Sequence, residues 1–237
     1  MRQKYLIVTA GGSGTRMGSA LPKQFIMLDG KPVLQLTISR FVEAIPDLKI
    51  IVVLPEDYIQ VWKDLCYENN FSVSQIIVKG GLTRFHSVKN ALEKIPSGAL
   101  VAVHDGVRPF VSVGLIRSLF KAGEDTCGVV PAVPCVDTLR AVMCSPDGAG
   151  LIRLDDAPVD RNRVFAVQTP QIFHSEILKE AYRQAFDTSF TDDASVVEKS
   201  GTQVSYILGE RLNIKITTPE DLHLAKVLML MFSSRMD

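Results

Sequence analysis

The sequence lacks several features that would place it in a particular class of protein. Its four cysteines have no Cys-x-x-Cys spacing and none lies in a histidine-rich cluster, which argues against a structural metal centre or a redox motif. Its 26 basic and 26 acidic residues balance and form no long run of one sign, so nothing indicates binding to nucleic acid or to a membrane surface. The most apolar run, Leu224–Phe232, is too short to span a bilayer and contains Lys226. That run predicts a core-packed final helix.

The chain also lacks any repeat, low-complexity segment or linker that would divide it. At 237 residues it falls within the range of one large α/β domain, so we predict a single domain over residues 1–237. The amino-terminal residues lack the apolar segment and small-residue cleavage site of a secretory signal. We therefore expect a cytoplasmic protein.

The strongest positive signal is a glycine-rich loop directly after an apolar strand. Gly11, Gly12 and Gly14 have no Cβ atoms to keep the backbone away from a ligand, so consecutive N–H groups can face an anion. Arg16 and Lys23 add full positive charge to the same segment. This combination predicts a phosphate-binding loop.

The loop does not match the two most familiar phosphate-binding motifs. A dinucleotide-binding loop needs a third glycine where this chain has Met17. A P-loop needs Gly-Lys-Ser/Thr where this chain has Met17-Gly18-Ser19. The sequence therefore indicates a phosphate-binding loop of another kind.

Strand-like and helical runs alternate through the first half of the chain, which predicts a mainly parallel, Rossmann-like α/β sheet with helices on both faces. The strand-like runs are rich in Val and Ile on both sides of the pleat, as doubly covered strands are. The predicted strands are Tyr5–Ala10, Lys49–Leu54, Gln75–Lys79 and Ala99–His104. The predicted helices are Pro32–Ala44, Tyr58–Asn69 and Arg84–Ile95.

The alternation breaks after Pro134. Two strand-like runs, Asp137–Cys144 and Leu151–Asp155, flank the turn-rich segment 145–150 and predict an inserted β-hairpin, part of an arm at about 137–163. A two-stranded hairpin alone is only marginally stable in water, so we expect it to pack on a second subunit. The arm therefore predicts a homodimer.

Three separate segments are expected to meet at one edge of this sheet. Ligands of open α/β sheets bind at the carboxyl ends of the strands. The glycine-rich loop, Gly80-Gly81 and Asp105 each follow a predicted strand directly. The sequence thus places the candidate site at that edge.

Seven ordered segments of the chain resemble the 2-C-methyl-D-erythritol 4-phosphate cytidylyltransferase family of isoprenoid biosynthesis. They cover nearly the whole chain. They are the loop 5–23 continuing into Leu21-Pro22-Lys23-Gln24-Phe25, Gly80-Gly81-Leu82-Thr83-Arg84-Phe85-His86-Ser87-Val88, His104-Asp105-Gly106-Val107-Arg108-Pro109, Val159-Asp160-Arg161, Gln168-Thr169-Pro170-Gln171, Phe190-Thr191-Asp192-Asp193-Ala194-Ser195 and Asn213-Ile214-Lys215-Ile216-Thr217.

The resemblance implies the transfer of CMP from CTP to an alditol phosphate, with release of pyrophosphate. Two anionic groups meet in this reaction, so its catalysis rests on positioning and charge neutralisation. We assign that task to Arg16, Lys23 and Lys215. The resemblance also implies Mg²⁺ as cofactor and a homodimer whose arms embrace.

Asp105 is the candidate metal-linked carboxylate, whether it binds Mg²⁺ directly or through water. Mg²⁺ prefers one or two carboxylates together with phosphates and waters. An isolated Asp after a strand is also typical of a turn or a helix cap. The neighbouring His104 is more typical of a packed, hydrogen-bonded histidine than of a metal ligand.

The nucleotide is expected to contact small residues that let backbone groups reach the base, the ribose and the phosphates. Ser87 is also a candidate cap for the helix that follows it. Leu82 departs from the acidic or small residue expected at that position of the family. The predicted nucleotide-binding residues are Ala10, Gly11, Gly12, Gly14, Thr15, Gly80, Gly81, Ser87 and Asp105.

The acceptor alditol phosphate needs a second set of groups, which the resemblance places at Arg108, Thr138, Arg161, Thr169, Thr191 and Asp192. Arginine suits a phosphate because its planar fork donates two aligned hydrogen bonds. Thr191 and Asp192 taken alone are typical of a helix N-cap. Thr138 and Arg161 bracket the hairpin and are candidates for the neighbouring subunit's site.

Three alternative functions are weaker but distinct. A ribitol-5-phosphate cytidylyltransferase would bind a linear polyol phosphate of similar length. A non-catalytic nucleotide sensor on the same fold would not need Arg16, Lys23, Asp105 and Lys215 together. A nicotinamide-dependent dehydrogenase would need the third glycine that the loop lacks.

Overall fold

The computed structural model describes residues 2–12, 21–154 and 159–233. In chain order its strands are β1 (Lys4–Thr9), β2 (Met27–Leu28), β3 (Lys31–Pro32), β4 (Lys49–Leu54), β5 (Gln75–Lys79), β6 (Leu100–Asp105), β7 (Gly128–Pro134), β8 (Val142–Cys144), β9 (Leu151–Arg153), β10 (Phe165–Val167), β11 (Gln171–His174) and β12 (Ser205–Leu208). Its helices are α1 (Val33–Ala44), α2 (Ile59–Glu68), α3 (Arg84–Leu92), α4 (Val113–Asp125), α5 (Ser175–Ala181), α6 (Asp193–Lys199) and α7 (Pro219–Ser233).

The main sheet has the order β10-β7-β11-β6-β1-β4-β5, with β12 beside β7. The strands β6, β1, β4 and β5 are parallel, and β12 is parallel to β7. Strand β11 runs antiparallel to both β6 and β7, and β10 runs antiparallel to β7. The prediction of a mainly parallel α/β sheet is therefore confirmed.

The core lies in two layers because side chains along each strand alternate between the faces of the sheet. In β1, Leu6 and Val8 pack with helices α1, α2 and α4. Ile7, between them, packs on the opposite face with helices α3, α5 and α6. The apolar side chains on both faces are what a doubly covered strand requires.

The four predicted strands correspond to β1, β4, β5 and β6, and their predicted boundaries are correct to within one residue. Helix α3 ends at Leu92, three residues earlier than predicted, and the chain then turns before β6. In β1 and β6, Thr9 and Asp105 lie opposite each other at the carboxyl ends of the strands. This register brings the glycine-rich loop and Asp105 to one edge of the sheet.

The hairpin after β7 is present, with shorter strands than predicted. Val142 pairs with Arg153 and Cys144 with Leu151. Asp147 closes the turn by accepting hydrogen bonds from the Ser145 hydroxyl at 2.5 Å and from the Ala149 N–H at 3.0 Å. Position 155, the last of the predicted strand, lies outside the described residues.

Helix α7 differs from the predicted core-packed final helix. Only one side of it is buried, where Ala225 and Leu228 join Leu28 and Ile216 in a small third cluster. Leu222 and Met229 are partly buried against this cluster, whereas Leu224, Val227, Leu230 and Met231 are exposed. Among the described helices, none combines the length and the apolar character needed to cross a membrane.

Candidate active site

A cavity of about 310 Å³ opens at the carboxyl edge of the sheet, within the size range of small-molecule sites. Its walls come from the glycine-rich loop, the β5–α3 connection, the end of β6 and the segment before α7. The lining residues are Thr9, Ala10, Gly11, Gly12, Lys23, Gln24, Gly81, Leu82, Thr83, Arg84, Ser87, Asp105, Val107 and Lys215. We call this the nucleotide cavity.

A buried glutamine holds the end of β1 in place. The Gln24 side-chain amide donates to the Ala10 carbonyl at 2.7 Å, and Gln24 is almost fully buried. Gln24 follows Lys23 in a short 3₁₀-helix, where Phe25 packs against Trp62 and anchors the segment in the core. These contacts place Lys23 on the cavity wall beside Gly12.

The β5–α3 connection is a tight turn closed by Ser87. The Gly81 N–H donates to the Ser87 hydroxyl at 3.0 Å, and that hydroxyl donates to the Thr83 carbonyl at 2.9 Å. A Cβ atom on Gly81 would lie 2.4 Å from the His86 Cβ, so only glycine fits there. The N-cap of α3 is Thr83, not Ser87. The expectation that Ser87 caps the helix is therefore wrong, because Ser87 lies inside the helix and closes the turn.

Three cations surround the carboxylate of Asp105. The Nε atom of Arg108 and the Nζ atom of Lys215 lie 3.0 Å and 3.1 Å from its Oδ2 atom. The Nε atom of Arg84 lies 4.0 Å from its Oδ1 atom. Burial alone would raise the pKa of Asp105, but the nearby Arg84, Lys215 and Arg108 hold it well below its usual value. Asp105 is therefore ionised at any working pH.

Behind Asp105, a buried histidine fixes the chain. The Nε2 atom of His104 lies 3.2 Å from the Arg108 carbonyl oxygen and must carry the proton, because a carbonyl only accepts. The Nδ1 atom, 2.9 Å from the Thr169 hydroxyl, therefore accepts from it. The same hydroxyl accepts from the Asp105 N–H at 3.1 Å. Burial lowers the pKa of His104 to about 3, which keeps the ring neutral. The prediction of a packed, hydrogen-bonded histidine is confirmed.

A second, smaller cavity of about 150 Å³ lies on the other side of Asp105. It is strongly polar, as a site for a phosphorylated polyol requires, and we call it the acceptor cavity. Its lining residues are Arg84, Asp105, Arg108, Val167, Gln168, Thr169, Gln171, Thr191, Asp192 and Lys215. Within the described chain, Arg84, Asp105 and Lys215 line both cavities, so these three mark the junction between them.

Buried side-chain amides connect the segment Gln168–Gln171 to the segment that contains Asn213 and Lys215. The Gln168 side chain donates to the Glu210 carbonyl at 2.8 Å, and the Asn213 side chain donates to the Thr169 carbonyl at 2.9 Å. The Asn213 carbonyl accepts from Nη1 of Arg108 at 2.8 Å. Lys215 follows two residues later. This network fixes the position from which Lys215 reaches Asp105.

The Asp192 side chain caps helix α6. Its Oδ1 atom accepts from the Ser195 N–H at 2.8 Å, and the Ser195 hydroxyl completes a reciprocal capping box. Its Oδ2 atom accepts from the buried Gln171 amide at 2.7 Å. The N-cap interpretation of Thr191-Asp192 is therefore confirmed. The same residues also line the acceptor cavity.

Two predicted acceptor residues lie outside both cavities of this chain. Thr138 is exposed at the start of the arm, and Arg161 is exposed in the short 3₁₀-helix Arg161–Arg163. Gly80 does not line the nucleotide cavity, although a Cβ atom there would lie 3.2 Å from the Ser87 hydroxyl. Gly14, Thr15 and Arg16 lie outside the described residues.

Sequence reasoning missed several residues that build the site. Arg84 and Asp193 were inside quoted motifs, but neither was singled out. Gln24, Gln171 and Asn213 are buried polar residues in the same motifs. Buried amides and charges are uncommon unless they are hydrogen-bonded, so their presence in otherwise apolar segments was the available signal.

The fold and the site together are those of an α/β enzyme in which two cavities meet beside a carboxylate and several cations. A sequence profile of the 2-C-methyl-D-erythritol 4-phosphate cytidylyltransferase family matches residues 5–231. The chain belongs to this family.

Individual relatives agree with the profile. The 2-C-methyl-D-erythritol 4-phosphate cytidylyltransferase of Bacteroides thetaiotaomicron is 48% identical over 232 residues, which cover 97% of this chain and 100% of the relative. The enzyme of the same name from Porphyromonas gingivalis is 48% identical over 231 residues, covering 97% and 99%. The crystal structure of 4-diphosphocytidyl-2C-methyl-D-erythritol synthase from Anaerococcus prevotii matches with a TM-score of 0.79 at 29% identity, covering 97% of this chain and 96% of that chain. The predictions of family, fold class and cytidylyltransferase activity are confirmed.

Proposed function

We propose that the chain transfers CMP from CTP to 2-C-methyl-D-erythritol 4-phosphate through the two cavities that meet at Asp105 and Lys215. The products are 4-diphosphocytidyl-2-C-methyl-D-erythritol and pyrophosphate, in the non-mevalonate route to isoprenoid precursors. The observation that carries the proposal is the junction itself. A glycine-walled cavity and a polar cavity share a cationic boundary, which is the arrangement that two reacting phosphates need.

In this mechanism the acceptor phosphate attacks the α-phosphorus of CTP and pyrophosphate leaves. The main barrier is repulsion between the anions, so the site works by holding both groups and neutralising their charge. Lys23 and the backbone of Gly11 and Gly12 hold the triphosphate. Lys215 lines both cavities, and Arg108 lies on the acceptor side of the junction. Arg16, Gly14 and Thr15 keep the phosphate-binding roles that the resemblance implies.

Base recognition rests on the small residues of the nucleotide cavity. Cytosine offers an amino donor at N4 and acceptors at N3 and O2, whereas uracil reverses the pattern at two of these positions. Each mismatch with a site group costs about 1–3 kcal/mol, so CTP is preferred over UTP. In this chain Leu82 is almost fully exposed on the cavity rim, so its side chain provides no polar contact to the base.

The donor set at Asp105 fits a magnesium ion that binds together with phosphates. In the described part of the chain, no three His, Cys, Asp or Glu side chains come together as a ready-made metal site. Mg²⁺ does not need one, since it binds one or two carboxylates plus phosphate oxygens and water. Arg108 and Lys215 both contact Oδ2 of Asp105, whereas Oδ1 lies 4.0 Å from Nε of Arg84. Asp105 would hold the ion at Oδ1, and Mg²⁺ would neutralise charge on the triphosphate.

A homodimer accounts for the residues that lie away from the cavities. The hairpin strands expose Val142, Met143, Leu151 and Ile152. A mainly apolar groove is lined by Ala132, Arg163, Phe165, Val167, Tyr206, Ile207 and Leu208. Covering both surfaces with a second copy would remove this apolar area from water. Thr138 and Arg161 would then contribute to the partner's acceptor cavity. The cytoplasmic location and the single-domain organisation stay predictions.

The deciding experiment is pyrophosphate release measured with CTP, Mg²⁺ and each of two acceptors, 2-C-methyl-D-erythritol 4-phosphate and ribitol 5-phosphate. We expect a higher specificity constant for the first. A higher value for ribitol 5-phosphate would overturn the acceptor assignment and leave the nucleotide site intact. Absence of release with both acceptors would favour the non-catalytic nucleotide sensor, which the comparisons do not support.

A further inference from the structure

Arg84 lies where the two cavities meet, although the roles assigned so far do not include it. It is the first residue of α3, and its side chain is 30% exposed. It lines the nucleotide cavity and the acceptor cavity, as Asp105 and Lys215 also do. A cation at this point faces the space in which the two phosphates must approach each other.

A fully buried carboxylate holds the guanidinium of Arg84 from behind. Nη1 donates to Oδ1 of Asp193 at 3.0 Å, and Nη2 donates to Oδ2 at 2.6 Å. Asp193 is completely buried and does not line either cavity. A two-point contact of this kind fixes the plane of the guanidinium as well as its position.

A buried tyrosine fixes Asp193 in turn. The Tyr182 hydroxyl donates to Oδ1 of Asp193 at 2.7 Å, and the Tyr182 ring stacks on Phe85, the residue after Arg84. Burial and the adjacent Asp193 raise the pKa of Tyr182 well above its usual value, so the hydroxyl keeps its proton and remains a donor. Tyr182, Asp193 and Arg84 thus form one ordered chain from the core to the cavities.

The Asp193 contact leaves the Nε edge of Arg84 available to the site. A guanidinium has five N–H donors, and the two-point contact uses one on each Nη atom. Nε lies 4.0 Å from Oδ1 of Asp105, which is beyond hydrogen-bond distance. Arg108 and Lys215 contact the other carboxylate oxygen, Oδ2. This edge therefore faces Asp105, and Arg84 lines both cavities beside it.

Stability alone does not explain a buried ion pair at this position. Replacing such a pair by apolar side chains is often neutral or stabilising, because two charges must otherwise be desolvated. Helices α3 and α6 also share the apolar contacts of Phe85, Val88 and Val197 in the same core layer. The ion pair adds orientation of Arg84, which apolar packing would not give.

We propose that Arg84 is a further phosphate-binding residue of the junction, and that Asp193 and Tyr182 are positioning residues that act through it. The Nε edge of Arg84 neutralises charge where the acceptor phosphate approaches the α-phosphate of CTP. This inference rests on the proposed function. It adds Arg84 to Arg108 and Lys215 as a cation assigned to the reacting phosphates.

The test compares kcat, the KM for CTP and thermal unfolding among the wild-type protein and five variants. Asp193→Asn keeps the shape of the side chain and removes its charge. We expect kcat to fall about 10-fold or more, with a change in the KM for CTP below about threefold, because the loss falls on the reacting phosphates. Arg84→Lys keeps a positive charge without the fork and should show a similar loss. Tyr182→Phe leaves the two-point contact between Arg84 and Asp193 in place, so its kcat should fall only about two- to fivefold.

Two further measurements separate positioning from simple stabilisation. The double variant Arg84→Lys/Asp193→Asn should be no slower than the slower single variant, because both changes remove the same oriented guanidinium. Glu180→Gln is the matched control, since it removes the carboxylate partner of another arginine, Arg183, at the surface. It should leave kcat unchanged.

The outcomes distinguish this inference from the function on which it rests. If the wild-type protein releases no pyrophosphate, the proposed function fails. If the wild-type protein is active and folded Asp193→Asn keeps its kcat while only its melting temperature falls, the positioning role is overturned. If Asp193→Asn does not fold, Arg84→Lys and Tyr182→Phe decide: wild-type kcat in both contradicts the inference.

Discussion

At the scale of single residues, the electrostatics of the site depend on how three cations are placed around the carboxylate of Asp105. Its two oxygens have different surroundings, with Arg108 and Lys215 on Oδ2 and Arg84 more distant on Oδ1. Asp193 pairs with Arg84, but within the described chain the four cations that line the two cavities still outnumber the three carboxylates, which leaves a net positive region that attracts the anionic substrates. The site is therefore built to receive phosphates.

Lys23 gives the simplest test of charge neutralisation. Lys23→Met keeps an unbranched side chain that is one atom shorter and removes its charge, and the Gln24 and Phe25 contacts that anchor the segment remain. We expect turnover to fall by roughly 10²-fold or more, as it does on loss of one preorganised electrostatic donor. Steady-state kinetics and circular dichroism measure the rate and the folding. An unaltered rate in a folded variant would remove Lys23 from the mechanism.

Asp105→Asn tests the proposed metal-linked carboxylate. The change keeps the size of the side chain but removes the charge that Arg108 and Lys215 contact. We expect a lower rate and a higher Mg²⁺ concentration at half-maximal activity, since one of the few carboxylate ligands is lost. Calorimetric titration of MgCTP into the variant gives a readout independent of turnover. Wild-type Mg²⁺ dependence would restrict Asp105 to a structural role.

Because His104 is buried as a neutral ring, we expect the folded protein to lose stability in mild acid. Its pKa is near 6.5 in the unfolded chain and is lowered to about 3 by burial in the fold, so the unfolded chain takes up the proton first. The contribution of His104 to the free energy of unfolding is complete above about pH 6.5. It is lost as the pH falls towards 3, at about 1.4 kcal/mol per pH unit. Between about pH 7.5 and pH 5 the wild-type protein should lose about 2 kcal/mol from this group.

Urea unfolding of the wild-type protein and of His104→Gln at both pH values checks this expectation. Gln can still donate to the Arg108 carbonyl but does not titrate. The variant should be less stable at neutral pH and less sensitive to acid. Equal pH dependence in the two proteins would show that another group is responsible.

At the scale of elements, the regular parts of the fold were predictable and the connections were not. Strands such as Lys49–Leu54 are continuous apolar runs, and their burial on both faces follows from composition alone. The register of Thr9 opposite Asp105 then brought the candidate loops together as expected. The roles of Thr83 and Ser87 were not predictable, because both residue types cap helices and only the backbone path decides between them.

The one-sided burial of α7 was also missed, for a different physical reason. The run is apolar all round, so its sequence has no polar face to show which side meets the core. The structure buries Ala225 and Leu228 and leaves Leu224 and Leu230 exposed. Similarly, Arg84 and Asp193 are 109 positions apart in the chain, and no local pattern could have paired them.

The β5–α3 connection provides a prediction at this scale. Gly81→Ala would place a Cβ atom 2.4 Å from the His86 Cβ and 3.0 Å from its backbone carbon, so the turn must move. We expect the KM for CTP to rise about 10-fold, and stability to fall by about 1–3 kcal/mol. Gly114→Ala is the control, because its nearest contact would be an ordinary 3.6 Å from the Ser112 hydroxyl. Equal KM values for CTP in both variants would show that the shape of this turn does not affect nucleotide binding.

At the scale of the whole molecule, both hairpin strands of the arm, β8 and β9, are exposed along their full length in a single chain. Their apolar residues are well exposed, including Leu151 at 71%. Deleting residues 144–151 and joining the strands should weaken self-association and activity together, because the arm carries both the apolar surface and the approach to Thr138 and Arg161. Sedimentation equilibrium and kinetics on one preparation measure the two effects. A fully active monomer would contradict the shared-site dimer.

Mixed dimers test directly whether Arg161 acts in the partner's site. Arg161→Ala and Lys215→Ala should each be nearly inactive alone, since each removes a charge assigned to the phosphates. If Lys215 serves its own chain and Arg161 serves the partner, a mixed dimer carries one site with both defects and one site with neither. Random reassociation makes about half of the dimers mixed, so the mixture should recover about a quarter of wild-type activity. If Arg161 instead serves its own chain, every site in the mixture keeps one defect and no activity returns.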